Sequence, residues 1–210
     1  MRKIAEEALS LLRGGQSFAM AVVLESSGST PRDPGAAMLI CPDGAITGTI
    51  GGGVLEAHVI KDAKKAIAEK RAMVCEYALE TSGDAAIGAI CGGRAKTLID
   101  YIDAAEPSSL SYFEALFNAA SGPDVSVLAV LASAGAPLSA RNQCLIRPDG
   151  TVAGGEVFDE ETLAMLLKDH KGAGTGKIRE KDVYFFPVGT AGTVYIFGAG
   201  HVGQKLAKIV

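Results

Sequence analysis

The sequence is poor in the residues that build metal and disulfide scaffolds. It has only three histidines and four cysteines in 210 residues, and it also has no tryptophan. The cysteines show no Cys-X-X-Cys pair and no histidine at zinc-finger spacing, which argues against a zinc site. A long apolar chain without an export signal is not expected to depend on disulfides. We therefore expect reduced thiols and no bound metal.

The sequence also lacks a cationic run and a long hydrophobic segment. Its formal net charge is −4, so nucleic acid and anionic lipid are not expected partners. The longest uncharged apolar stretch, residues 125–140, is shorter than the roughly 20 residues of a membrane span. Near the N-terminus, Glu6 and Glu7 stand where a signal peptide needs its apolar core. These absences predict a cytoplasmic protein with no membrane span.

The composition is that of a folded α/β protein. Hydrophobic residues make up 48% of the chain, which is enough for a sizeable core. Periodicity and turn signals place the elements. The predicted helices cover residues 2–13, 54–70, 109–119 and 160–170. The predicted strands cover residues 18–24, 36–41, 45–49, 73–79, 95–102, 125–131, 143–147, 151–153 and 193–197.

One pattern occurs twice along the chain. Residues 39–48 and 145–154 share six of ten positions around a Pro-Asp-Gly turn, and a strand precedes each copy while a helix follows it. This repeat predicts an N-terminal domain over residues 1–190 made of two related α/β halves, at about residues 18–105 and 108–170. Residues 191–210 then form an incomplete Rossmann βα stub.

The first candidate site is the run Gly51, Gly52 and Gly53 at the start of a predicted helix. Glycines let a ligand approach the backbone, and the free N–H groups of a helix start favour an anion. A tight connection without a ligand is the alternative. The second repeat has Glu156 in this loop, so the first half is the better ligand-binding half. An aspartate at Gly52 is expected to abolish anion binding and leave the fold intact.

A second candidate is the loop that contains Ser29, Thr30 and Arg32. The planar guanidinium of Arg32 can clamp a phosphate, and the two hydroxyls can add hydrogen bonds. Pro31 and Pro34 stiffen the loop. The alternative is a surface loop with a solvated Arg32–Asp33 pair.

The third candidate is Cys91, which Gly92 and Gly93 follow. A thiol on a glycine-rich loop can carry sulfur or bind a soft metal, whereas Cys75 and Cys144 stand within predicted strands as small core residues. A buried, inert Cys91 is the alternative.

A dinucleotide-type motif stands near residue 200, with Gly198, Gly200 and Gly203 between a predicted strand and a helix. The acidic ribose partner of such a motif should lie about 20 residues further on, followed by a second strand. The 210 residues contain neither, so NAD(P) binding by this chain is not expected.

These motifs, in this order, resemble the XdhC/CoxI accessory proteins of molybdenum-containing hydroxylases. The resemblance rests on GSTPR at residues 28–32, GTIGGG at 48–53, CGG at 91–93 and FGAGHVG at 197–203. It implies an N-terminal domain with the first three motifs and a C-terminal Rossmann domain that the fourth one opens.

The resemblance implies a cofactor chaperone rather than a turnover enzyme. Such a protein binds molybdopterin cofactor transiently and assists its sulfuration and insertion into a xanthine dehydrogenase- or aldehyde oxidoreductase-type enzyme. The implied partners are that molybdenum hydroxylase client and a cysteine desulfurase, and a homodimer is a further expectation. Cys91 is then the thiol that handles sulfur. The implied cofactor-binding residues are Ser29, Thr30, Arg32, Gly51, Gly52, Gly53, Gly92 and Gly93.

Two other functions stay open at this point. An NAD(P)-dependent oxidoreductase would use the motif at residues 198–203. A subunit-interaction module would use all of the glycine motifs structurally.

Overall fold

The computed structural model describes residues 1–29, 32–80, 87, 92–132, 143–154, 161, 164–165, 174–178, 181–189 and 196–207. Thr30, Cys91 and most of the helix predicted over residues 160–170 lie outside these ranges. None of the described helices has the length and apolar character that a membrane crossing needs.

The described elements follow the predicted pattern up to residue 154, whereas the two strands at residues 174–178 and 181–188 were not predicted. The helices are α1 (Arg2–Arg13), α2 (Gly53–Glu69), α3 (Pro107–Ser121) and α4 (His201–Leu206). The strands are β1 (Phe18–Ser27), β2 (Ala37–Ile40), β3 (Ile46–Gly48), β4 (Met73–Ala78), β5 (Arg94–Ile102), β6 (Ser126–Ala132), β7 (Gln143–Ile146), β8 (Val152–Gly154), β9 (Gly174–Ile178) and β10 (Lys181–Val188).

The strands form two five-stranded antiparallel sheets with the same order. The first sheet runs β3-β2-β1-β5-β4 and the second runs β8-β7-β6-β10-β9. Each sheet is preceded by a helix, α1 or α3. The predicted mixed α/β fold of two related halves is thus confirmed.

The second sheet continues beyond residue 170, where the sequence pattern ends the second half. The glycines around residue 174 indicate a loose connection, yet β9 pairs with β10 from Gly174 opposite Phe185 to Ile178 opposite Lys181. Pairing with a neighbouring strand overrides the weak strand propensity of glycine. The second half of the repeat therefore reaches residue 188.

The repeat extends to the hydrogen bonds of the hairpin turns. Asp43 accepts a hydrogen bond from the N–H of Ala45 at 2.9 Å, and Asp149 accepts one from the N–H of Thr151 at 2.9 Å. After each turn comes a glycine with positive φ, Gly48 at 88° and Gly154 at 78°. These equivalences favour duplication of one ancestral unit over a chance match of the Pro-Asp-Gly turn.

A single core lies between the two sheets. Alternate residues of β1 and β6 point into it, together with the buried faces of α1 and α3. Because successive side chains of a strand point to opposite faces, the remaining residues of β1 pack outward. They meet the buried face of α2, which covers the outer side of the first sheet.

The hairpin glycines give a test of the packing between helix and sheet. A Cβ on Gly154 would lie 2.7 Å from Cδ2 of Tyr112 in α3, whereas one on Gly150, whose φ is 81°, would meet nothing within 4 Å. We expect Gly150→Ala to cost about 1 kcal/mol through backbone strain alone. Gly154→Ala should cost a further 1–3 kcal/mol, approximately, through overpacking. Urea unfolding of both variants measures the difference, and equal losses would contradict the proposed packing.

Candidate functional site

The topology brings three of the four motif loops to one end of the first sheet. Because its strands are antiparallel, β1, β3 and β4 end where β2 and β5 begin. The described residues 28–29, 32–36, 49–52 and 92–93 adjoin the strands at this end, which we call the motif end. They belong to the motifs GSTPR, GTIGGG and CGG and to the residues that follow GSTPR.

Two of these motifs are in backbone contact. A Cβ on Gly28 would lie 3.0 Å from the carbonyl oxygen of Gly92 and 3.1 Å from Cα of Gly93. Ser27 of β1 pairs with Arg94 of β5 directly beside them. Glycine is therefore required at residue 28 for the close approach of the two loops.

The triple-glycine loop is organised by Glu56, in the first turn of α2. Its Oε1 accepts hydrogen bonds from the Thr49 hydroxyl at 2.6 Å and from the N–H groups of Gly52 at 2.8 Å and Ile50 at 3.1 Å. The N–H of Gly51 donates to Thr49 Oγ1 at 3.1 Å. The carboxylate of Glu56 thus occupies the place at the helix start where the sequence predicts a bound anion.

The protonation of Glu56 follows from these contacts. Partial burial alone would raise its pKa, but the hydrogen bonds from Thr49 and the loop N–H groups outweigh burial and hold the pKa below its ordinary value. A bound phosphate would have to displace a stably ionised side chain. The loop is therefore poorly suited to bind a phosphate. The sequence already indicates this, because the acidic residue Glu56 follows the glycine run by three positions.

The backbone conformation of Gly52 determines how the Gly52→Asp substitution would affect the fold. Gly52 has a φ of 78° and a ψ of −175°, a conformation that only glycine adopts readily. Gly52→Asp would strain the loop, so the expectation that it leaves the fold intact is not supported.

Arg32 lies at a second feature of the motif end, a basic cleft of about 640 Å³. Arg2 and Lys3 at the start of α1 line the same cleft, as does Thr49. None of the described residues that line it is acidic. We call it the Arg32 cleft. Its charge is suited to an anion, in contrast to the loop that Glu56 occupies.

A polar cluster that sequence reasoning missed joins the two sheets. Lys96 Nζ of β5 lies 3.0 Å from the Tyr184 hydroxyl of β10 and 3.4 Å from Glu25 Oε1 of β1, and the Tyr184 hydroxyl donates to that same oxygen. Asp182 Oδ2 lies 3.6 Å from Lys96 Nζ. Because Lys96 and Tyr184 are 88 residues apart, no local sequence pattern could predict their contact.

The described cysteines are not reactive thiolates. Burial raises the pKa of Cys144 to about 12, and burial also raises the pKa values of Cys41 and Cys75. Within the described ranges, no three His, Cys, Asp or Glu side chains are grouped as metal ligands. Cys91 stays a prediction, since it lies outside the described residues.

The dinucleotide-type motif lies apart, at the start of α4. A Cβ on Gly203 would clash with the carbonyl oxygen of Gly198, which is the close approach that the last glycine of such motifs permits. Ile196 and Phe197, the described part of the strand predicted over 193–197, are not in a strand, and Phe197 is 96% exposed.

Two repeated antiparallel sheets with three loop motifs at one end define a mixed α/β protein of duplicated architecture. Residues 11–78 match the model of the XdhC and CoxI family. The resemblance to that family is therefore confirmed over this segment, about a third of the chain.

One relative supports this resemblance, and one solved structure shares the fold. Over 96 residues the chain is 40% identical to the uncharacterized protein YqeB of Escherichia coli (strain K12). The aligned residues make up 46% of this chain and 18% of YqeB. The crystal structure of a xanthine dehydrogenase from Bacillus halodurans matches with a TM-score of 0.62 and 21% identity, over 88% of this chain and 53% of that one. At that identity the structural likeness shows the fold alone. The chain thus spans about half of the solved protein and less than a fifth of YqeB.

Glu56→Gln tests whether this carboxylate organises the loop. We expect a loss of about 1–2 kcal/mol at pH 7, since charge-assisted hydrogen bonds are lost at a partly exposed position. Because the pKa of Glu56 is lowered on folding, its stabilisation is present above the unfolded pKa and is lost as the pH falls. The gap between wild type and variant should therefore close below pH ~4.

Urea unfolding at pH 7 and pH 3 measures this gap. Glu69→Gln, at the exposed end of the same helix beside Arg71, is the matched control and should change little at either pH. A gap of equal size at both pH values would contradict the role of the Glu56 charge.

Proposed function

We propose that the protein is a maturation factor for a molybdenum hydroxylase. It holds molybdopterin cofactor at the motif end, assists its sulfuration, and delivers it to a xanthine dehydrogenase- or aldehyde oxidoreductase-type client. The observation that carries the proposal is the convergence of three family motifs on one end of the first sheet, beside a basic cleft. The XdhC and CoxI family match over residues 11–78 supports it.

The residues present fit the phosphate of this cofactor at the Arg32 cleft. A cleft of about 640 Å³ is within the range of small-molecule sites. Arg32 can form two parallel hydrogen bonds with a phosphate, and Arg2 and Lys3 add positive charge. The guanidinium of Arg2 already lies 5.8 Å from the ring centre of Phe117, which restrains it. Gly51, Gly52 and Gly53 then shape the loop through Glu56 and do not hold the phosphate.

The sulfur chemistry is assigned to the neighbouring loop. Gly92 and Gly93 lie against Gly28 of the GSTPR motif, and Cys91 precedes Gly92 in the sequence. We propose that the thiol of Cys91 handles sulfur there, with a cysteine desulfurase as the source. The molybdenum cofactor, when bound, would supply the dithiolene and the metal. The protein supplies binding, orientation and shielding.

Arg32→Gln tests the assignment of the phosphate. The variant removes the planar cation but keeps a side chain of similar length, so we expect folding to be unchanged and cofactor retention to fall about tenfold or more. The measurement is fluorescent oxidised pterin per mole of protein after purification from a cofactor-competent host.

Arg13→Gln is the matched control, because Arg13 lies at the other end of α1 in an exposed pair with Glu114. It should retain cofactor like the wild type. Equal retention by Arg32→Gln and wild type would show that the phosphate is bound elsewhere.

A further inference from the structure

We propose that a second cleft, between the end of β1 and the strands β9 and β10, binds the amino-pyrimidinone ring of a pterin, with Glu25 accepting hydrogen bonds from the ring N–H groups. The identity of the ligand rests on the proposed function, but the site itself does not. We call it the Glu25 cleft.

The Glu25 cleft has the size and walls of a small-molecule site. Its volume is about 980 Å³, and Tyr184, Phe185 and Phe186 are among the residues that line it. Sites of this kind combine apolar and aromatic walls with a few polar groups that orient the ligand. The polar side chains that line it include Glu25, Ser26, Thr175, Lys177 and Asp182.

A bulge in β1 turns Glu25 towards this cleft. The pairing of β1 with β5 shifts between Val23 and Glu25, which leaves Leu24 as an extra residue. Strict alternation would put Glu25 on the face opposite to Leu24, whereas the bulge resets the alternation and brings Glu25 to Tyr184 of the second sheet. Bulges of this kind commonly re-aim a side chain at a functional site.

One oxygen of Glu25 is fixed and the other is available. Both Lys96 and Tyr184 contact Oε1. Among the described residues, Oε2 has no hydrogen-bond partner, and the side chain is 54% exposed. A carboxylate that is held in place and open on one side can accept the neighbouring N–H groups of an amino-pyrimidinone ring.

The charges around Glu25 indicate binding rather than proton transfer. Burial alone would lower the pKa of Lys96, but the Tyr184 hydroxyl and the Glu25 carboxylate raise it above its ordinary value. Burial and the hydrogen bond to Glu25 raise the pKa of Tyr184 to about 12. Neither Lys96 nor Tyr184 titrates near pH 7, so Lys96 stays cationic and Tyr184 stays neutral beside Glu25.

The Glu25 cleft and the Arg32 cleft differ in charge and lie side by side. The Glu25 cleft is lined by one cation, Lys177, and by two acids, Glu25 and Asp182. The described residues that line the Arg32 cleft include cations but no acid. Pro187 lines both clefts. Lys177 and Lys96, which contacts both acids, balance the charges of Glu25 and Asp182, so the Glu25 cleft favours a neutral ring with several N–H donors over a charged ligand. Molybdopterin carries such a ring at one end and its phosphate at the other.

Fluorescence titration with 6-hydroxymethylpterin tests the site directly. Its partner probe is 6-hydroxymethyllumazine, in which a carbonyl oxygen replaces the 2-amino group and would face the carboxylate. We expect the wild type to bind the pterin at least about tenfold more tightly than the lumazine. Guanosine, which carries the same ring edge on a purine, should bind more weakly than the pterin.

Glu25→Gln should weaken pterin binding by about tenfold and remove the preference over lumazine. Glu76→Gln is the matched control, because Glu76 is an exposed residue of β4 that does not line the Glu25 cleft. It should leave both affinities unchanged. Circular dichroism establishes that each variant is folded.

Several results would overturn the proposal. Equal affinities of the wild type for pterin and lumazine would do so without any variant, as would tighter binding of guanosine than of pterin. Unchanged pterin binding by a folded Glu25→Gln variant would also do so. The neutral probes have no phosphate, so these results are independent of cofactor retention through Arg32, by which the proposed function is tested.

Discussion

The packing of two duplicated sheets against one shared apolar core is the constraint on which the rest of the structure depends. Phe18, Met20 and Val22 of β1 and Leu128 and Val130 of β6 are buried in this core together with the inner faces of α1 and α3. Burial of this surface is the main stabilising contribution to such a fold. It also fixes how the first sheet faces the second, and both clefts lie between elements of the two halves.

Polar contacts across the core give the two sheets one register. The side-chain amide of Gln143 in β7 donates a hydrogen bond to Asp100 of β5 at 3.0 Å and accepts one from the Tyr112 hydroxyl at 3.4 Å. All three side chains are almost fully buried. Lys96 and Tyr184 make the second crossing contact, at the edge of the core beside the Glu25 cleft. Buried polar groups must be hydrogen-bonded, so sliding of one sheet past the other would leave such groups without partners. The same contacts thus hold the halves together and shape the clefts.

Local patterns in the sequence predicted most of the fold but only part of the site. Strand alternation, the Pro-Asp-Gly turns and the helix start at Gly53 predicted most elements and the repeat, because each depends on residues close in the chain. The strands β9 and β10 were both missed. The glycines of β9 have low strand propensity, and its stability comes from pairing with β10. The role of Glu56 and the bulge at Leu24 depend on backbone geometry, and the Lys96–Tyr184 contact depends on how the sheets pack. None of these three features follows from periodicity.

Hydrogen–deuterium exchange of the protein with and without bound molybdopterin tests most directly whether the motif end is the cofactor site. Arg32 and the start of α1 lie at one cleft, and Gly28 lies against Gly92 at the same end of the first sheet. We predict slower exchange on binding in segments 1–4, 32–37 and 92–94, because a ligand there would restrict their opening. Protection confined to α4 or to β8, with no change at the motif end, would contradict this account.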